Sequence, residues 1–470
     1  MLRFSCNKLK FCSYSARVEA RHPYLPYLNH SSYAGLCLLT QAKLSSFETS
    51  HSFSHVANLQ FFGLSSVVCG YNFLIWNRAG GIYHCFGTAA RTVQVNNQIF
   101  GIVETVARNE DELESCLASL NITLSIGDVA NIFKLLTSRN VCGLRFFRWF
   151  RRWQPNLARN SELCSFIINN LGHLENYDII SCVLDEFKLE NICLTKHAFE
   201  FILSGALEDE VLKDCTRRII AVLRDAAGSC YASGIHALIE CFCCHGFFPM
   251  AQFVMEYAGK KSSYYCVMIK ERCRRNEVEA AKEILAEMKR EEILHPLAFN
   301  YVISHQCKLD FREALKTFVE MKGTNCEPDA LAYEIIICCL CKRGNLDAAF
   351  LLLKDMETGC IEPRLSTHCA IIKELFTLQK HEEAHAYVVD VSSRYMCSGN
   401  AVYSLLAKLH RQKGNLKVAK DIVSQMIDKG LRPEMRVYLR ILRGLQTSGN
   451  ASLASDLKQK FLSLNKCHHV

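Results

Sequence analysis

The stretch PDALAYEIIICCLCKRGNLDAAFLLLKDMETGCIEP, residues 328–363, decides the fold. Three and four residues after Tyr333 come Ile336 and Ile337; Leu340 and Cys341 follow at seven and eight. Apolar residues at this spacing form one stripe of an α-helix. Gly344-Asn345 breaks the pattern, since glycine ends a helix in the left-handed conformation and asparagine can cap the next. The second helix carries Ala349, whose lack of bulk lets a neighbouring helix approach, and it ends near Met356. Pro363 closes the segment because proline cannot continue a helix.

The same arrangement recurs along the chain. From Tyr333, His368, Tyr403 and Tyr438 follow at intervals of 35. Backwards, Phe299, Tyr265, Ile235, Phe199 and Cys164 precede it at 34, 34, 30, 36 and 35. An apolar pair lies three and four residues after each anchor, as in Ile167/Ile168, Val302/Ile303 and Ile441/Leu442. An alanine recurs sixteen residues after it (Ala251, Ala281, Ala349, Ala384, Ala419, Ala454), with Ala314 one place early. A pair of short helices cannot bury its own apolar face, so such units must stack. The pattern predicts an all-α protein: an α–α superhelical solenoid of about nine helix–turn–helix repeats over 164–470.

Composition agrees. Half of the 470 residues are hydrophobic, which excludes wholesale disorder, and 8 prolines with 23 glycines are few for an all-β chain. The formal charge is +8, but residues 1–103 carry eight basic and two acidic side chains, which leaves +2 for the rest. The excess positive charge therefore sits in the leader. The 26 cysteines come without a secretory signature, so free, largely buried thiols are expected.

The opening MLRFSCNKLKFCSYSARVEARH spreads Arg and Lys among Leu, Phe, Ser and Cys with one acid, Glu19. That composition predicts an organellar transit peptide over 1–30, with arginine favouring the mitochondrion over the chloroplast. A low-acid, poorly ordered extension is expected over 31–103 and a helical lead-in or cap over 104–163. Leu59–Trp76 has about the minimum length for a membrane span, but Gln60, Ser65, Ser66, Gly70 and Asn72 interrupt it. It reads as a buried or removed leader segment, and no membrane partner is expected.

Residues 328–363 resemble the pentatricopeptide-repeat consensus almost position for position, in the Tyr, the apolar pair, the Cys-Lys-x-Gly, the alanine, the methionine and the final Pro. The resemblance covers roughly 144–462 and includes LRFFRW at 144–149, similar to the segment before the first repeat in plant members. It points to the plant P-type of the family and implies organelle targeting and binding of single-stranded organellar RNA, about one base per repeat. It further implies that the residue after each anchor and the last residue of the unit choose the base. Those pairs are Asn300 with Asp329, Glu334 with Arg364, and Ser404 with Glu434, together with Cys369/Gly399 and Cys266/His295. Asn with Asp implies a pyrimidine, preferably uracil. By occupying a transcript, such a protein would affect its stability, processing, splicing or translation. The alternative is a repeat scaffold that binds a protein partner in a ribosome or an RNA-processing complex.

Other motifs yield no enzyme, metal or cofactor. Cys241/Cys244 and Cys338/Cys341 are too far apart to share an ion, and Cys243, Cys273, Cys307 and Cys341 all fall eight residues after an anchor, as repeat-core thiols do. His173-Leu174-Glu175 imitates part of a zinc-deaminase motif but lies inside the repeats. The aromatic and arginine segment 146–153 suits either single-strand binding or the cap of a solenoid end, and the cap is the simpler expectation.

Overall fold

The computed structural model describes residues 98–108, 113–119, 123–204 and 209–466; the leader and Leu59–Trp76 lie outside them. Among the described residues every regular element is a helix, and the helices alternate as predicted. In the Tyr333 unit, Ala330–Lys342 is followed by Leu346–Thr358. Ala332, Tyr333, Ile336, Ile337, Leu340 and Cys341 are buried on the first helix, and Leu346, Ala349, Leu352, Leu353 and Met356 on the second. Each large apolar side chain removed from water contributes roughly 1.5–3 kcal/mol. The recurring alanines are all buried, with Ala251, Ala281, Ala314, Ala349, Ala384 and Ala419 fully enclosed.

The turn inside the unit has a fixed backbone. Gly344, Gly414 and Gly449, each eleven residues after its anchor, have φ of 71°, 85° and 76°. Glu175, Gly246, Asn276 and Gln379 take the same left-handed conformation at the same offset. Asn345 caps the following helix by accepting from the Ala348 N–H at 3.4 Å. Asn415 occupies the same place without a side-chain cap bond.

First helices pack directly on the first helices of adjacent repeats from Ser262–Arg274 through Met435–Thr447. Over this stretch the second helices stand further apart, until Leu416–Asp428 packs directly on Ala451–Lys466, so the stack curves with the first helices on its inner side. Polar bridges span the outer gaps: Lys282 to Glu313 at 3.3 Å, Lys322 to Asp355 at 2.5 Å, Arg394 to Glu357 at 2.9 Å, His385 to Gln425 at 2.8 Å, and Lys460 to Asp428 at 2.8 Å. The exposed ion pairs among them contribute about 0–1 kcal/mol each.

Three features differ from the sequence reading. The first helix of the Phe199 unit, Lys196–Leu203, is a 3-10 helix. Its backbone is claimed by side chains of the preceding unit: Asn169 accepts the Phe201 N–H at 2.7 Å and Ser165 accepts the Thr195 N–H at 2.9 Å. Its Phe201 ring also lies so close to Gly172 that a Cβ there would come within 2.3 Å of it. Second, a helix over 98–108 runs across the boundary drawn at 103, because Ile99, Ile102, Val103 and Val106 form one buried stripe. Third, the lead-in contains a helix pair in phase with the repeats, Ile126–Ser138 and Leu144–Trp153. Val129 lies 35 residues before Cys164, and Asn140 supplies the left-handed residue at φ 53°. Phe146, Phe147, Trp149 and Phe150 are buried in that pair, and Arg151 bonds Glu190 at 2.5 Å. Most of the segment thus takes the structural role, while Trp153, stacked on Trp149, stays exposed.

Candidate functional site

In the Phe299, Tyr333 and Tyr403 units the residue after the anchor meets the start of the next unit. Asn300 is buried, and its Nδ2 donates to Asp329 Oδ1 at 3.0 Å. The same Asp329 oxygen accepts the Ala332 N–H at 2.8 Å and so caps the next helix. Asn300 Oδ1 is buried and has no hydrogen-bond partner. Glu334 meets Arg364 as an ion pair at 3.2 Å, with Arg364 about half exposed. Ser404 Oγ accepts from the Glu434 backbone N–H at 3.1 Å, so this pair is joined through the main chain and the Glu434 carboxylate stays exposed.

The structure therefore brings together all three of the principal pairs. The other two behave differently. Cys266 is buried, while His295 turns its Nδ1 onto the Leu297 N–H at 3.1 Å. Cys369 is half-buried, and burial pushes its thiol up; Gly399 packs near Leu431 and Ser392. One equivalent pair escaped the sequence reading. Ser165, the residue after the Cys164 anchor, holds Thr195 as Ser404 holds Glu434, and Thr195 Oγ1 is buried without a partner. The 30-residue separation of the serine and the backbone N–H that donates to it was the available signal.

A second surface was also missed. On each first helix the buried positions at offsets 0, 3, 4, 7 and 8 share one face, so offsets 2, 5 and 9 share the opposite one. In a solenoid lined by first helices that face is the concave surface. From the Tyr265 unit onward its exposed positions carry Lys270, Arg274, Lys308, Lys342, Lys373, Lys408, Arg440 and Arg443. Lys270 lies 3.9 Å from Glu240 and Arg274 bonds Glu271 at 2.6 Å; the other six make no ion pair among the described residues. The acidic residues in these six helices are Glu271, Glu334 and Glu374. Glu271 and Glu334 are paired, and burial pushes the Glu374 carboxyl above its usual range. Apolar and aromatic side chains, Tyr301, Ile335 and Leu405, are interleaved with the cations and half-buried. The acids that cancel the overall charge stand instead on second helices, in the bridges described above.

Cys241 is buried, and His245 Nδ1 lies 2.9 Å from its carbonyl oxygen. Cys244 contacts Lys196 at 3.5 Å. Among the described residues no group of three or more His, Cys, Asp or Glu is placed to hold a metal ion. No helix among them is long and apolar enough to cross a membrane.

Comparison with known proteins gives one family match: residues 324–357 fit the PPR repeat model. An Arabidopsis thaliana pentatricopeptide repeat-containing protein, named as mitochondrial, is 26% identical over 353 residues, covering 74% of this chain and 56% of that protein. Another from the same plant, named as chloroplastic, is 27% identical over 120 residues, covering 26% of this chain and 21% of its own length. The chain spans about half, or less, of the length of the first curated relatives it matches. Among solved structures, the maize pentatricopeptide repeat protein PPR10 in complex with an 18-nt psaJ RNA element is 16% identical, covering 76% of this chain and 57% of that one, with a TM-score of 0.39.

Proposed function

The chain is a pentatricopeptide-repeat protein, and from that premise we propose that it binds a single-stranded segment of an organellar transcript along its concave surface. The observation that carries this reading is the row of cations on the inner face of the first helices, six of them without acidic partners among the described residues. Phosphates of a single strand would replace water and counterions there, an attraction that weakens as salt rises. Half-buried Tyr301, Ile335 and Leu405 between the cations offer apolar surface to unstacked bases. Duplex RNA hides its base edges in a deep, narrow groove and would gain little from such a surface.

In this reading the pairs Asn300 with Asp329 and Ser404 with Glu434 set the base preference, while Glu334 with Arg364 holds its seam. Asn300 contributes most: its buried carbonyl oxygen has no partner, and an outward turn of the side chain would present it to a donor such as uracil N3–H. Glu334, already bonded to Arg364, contributes structure and not readout. The protein would act without catalysis, by occupying RNA so that nucleases and competing secondary structures are excluded. Delivery would rest on the leader, with the mitochondrion as first destination; relatives named for both organelles support an organelle in general.

The test is binding of the full chain to random single-stranded and duplex RNA at several salt concentrations. Preference for single strands, with affinity falling as salt rises, is expected. Equal binding of both forms, or affinity indifferent to salt, overturns the proposal and favours a protein-binding scaffold. A reporter fused to residues 1–60 tests the address, and cytosolic reporter would refute it.

A further inference from the structure

The inner face of the stack changes character between the Tyr265 and Phe299 units. In the Cys164 and Ile235 units, offsets 2, 5 and 9 hold Phe166, Asn169 and His173, then Ala237, Glu240 and Cys244, with no lysine or arginine. The polar side chains among them already have partners. Asn169 Oδ1 accepts the Phe201 N–H at 2.7 Å, His173 Nδ1 lies 3.5 Å from Ser204 Oγ, and Cys244 lies 3.5 Å from Lys196 Nζ. The Tyr265 unit is the border: its Lys270 faces Glu240 at 3.9 Å and its Arg274 bonds Glu271 at 2.6 Å. From Phe299 onward, Lys308, Lys342, Lys373, Lys408, Arg440 and Arg443 are exposed and make no ion pair among the described residues. We propose that bound RNA occupies only the units from Phe299 to Tyr438, as a single-stranded segment of about six nucleotides, and that the stack upstream is an arm RNA does not touch. This rests on the RNA-binding reading above and gives the bound segment a length and a boundary.

The boundary follows from what a phosphate meets on each side of it. At a free cation it releases counterions from the strand, which favours binding. At Lys270 or Arg274 it must displace a carboxylate, and the broken pair offsets what the new contact contributes. Further upstream it meets Glu240 and no lysine or arginine at these offsets. Bases find little there either. The Phe166 ring has the Phe133 and His197 rings as neighbours at 6.4 and 5.9 Å, and the Phe201 ring lies against Gly172. The seams themselves are alike in both parts, since Ser165 accepts the Thr195 N–H as Ser404 accepts the Glu434 N–H. The two parts thus share a fold and differ in charge.

The full-length protein is bound to an oligouridylate of about twelve nucleotides carrying photoreactive thiouridine, long enough to span every unit at about one base per repeat. After irradiation the cross-linked peptides are mapped. Cross-links are expected on Pro296–Leu309 and on the first helices that follow it as far as Met435–Thr447, with none on Ser161–His173 or Gly228–His245. On the same RNA, Lys308→Ala should flatten the slope of log affinity against log salt by roughly 0.7, and Lys270→Ala should leave it unchanged. Cross-links on either upstream helix, or a slope that Lys270→Ala flattens as much as Lys308→Ala does, overturn the boundary while RNA binding itself stands. RNA that neither binds nor cross-links overturns the binding reading and the boundary with it. The cross-link map is made on the wild-type protein, so a variant that fails to fold does not shelter the idea.

Discussion

Asp329 Oδ1 accepts two bonds from two different repeats, one from Asn300 Nδ2 at 3.0 Å and one from the Ala332 N–H at 2.8 Å. The atom that caps one unit's first helix therefore also fixes the orientation of the amide in the unit before it. With Nδ2 on Asp329, Asn300 Oδ1 is left buried and without a hydrogen-bond partner among the described residues.

Replacing Asn300 by threonine should consequently change what is bound and not whether the chain folds. Threonine keeps a hydroxyl at this place but lacks the second functional atom. The family resemblance implies that threonine with aspartate favours guanine. We expect the preference at one nucleotide to move from pyrimidine towards purine by about 1–3 kcal/mol, if discrimination matches a good base contact in DNA. Selection from a random RNA pool reads this directly; identical sequences recovered by variant and wild type would refute readout at this repeat.

Lys373→Ala, Lys408→Ala and Arg443→Ala combined should weaken RNA binding for every sequence alike. On single strands each phosphate contact contributes roughly 0.7 to the slope of log affinity against log salt, so three lost contacts should flatten it by about 2. An unchanged slope would remove these cations from the binding surface.

Ala349 is fully enclosed between helices. Ala349→Leu adds bulk where no space exists and should cost roughly 1–3 kcal/mol. The check is a thermal melt, and a midpoint equal to that of wild type would contradict the repeat phase.

His368 occupies the place that Tyr or Phe takes in neighbouring units. Burial, with Arg394 nearby, lowers its imidazole to about 4. The unfolded chain, titrating near 6.5, binds this proton first, so stability is complete above about pH 6.5 and is lost as pH falls towards 4. The full loss is roughly 3 kcal/mol at 1.36 kcal/mol per unit. His368→Phe removes this dependence but also the contact to the Tyr387 hydroxyl at 2.9 Å. At pH 7 the variant should be about 1 kcal/mol less stable than wild type, and the gap should close or invert by pH 4.5. Urea unfolding at the two pH values measures it, and a gap independent of pH would rule out His368 as the titrating group.

The repeat architecture was legible because anchor, apolar pair, glycine and alanine recur at a spacing that only stacked helix pairs satisfy. The Asn300–Asp329 contact was legible for the same reason, since a constant period places equivalent residues at equivalent seams. The 3-10 helix at Lys196–Leu203 was not, because its apolar spacing is that of an α-helix and the competing bonds come from Asn169 and Ser165, about 30 residues earlier. The helix pair around Val129 lacks the alanine and the glycine that marked the others. The concave cations were hidden by summation: a net charge adds Lys373 and Lys408 to acids such as Asp355 and Asp428, which lie on the other layer.

The bridges between second helices carry a mechanical meaning. The inner layer is joined by apolar packing that salt barely touches, whereas the second helices from Val278–Arg290 to His381–Arg394 are bridged by pairs such as Lys282–Glu313 and Arg394–Glu357 that salt screens. The array is thus a spring with a stiff inner rail and a soft outer one, and ionic strength should alter its pitch as well as its charge. Small-angle scattering of the RNA-free protein would register this as a radius of gyration that drifts with salt while the helical content stays constant; a radius that does not move would mean that the outer rungs bear no load.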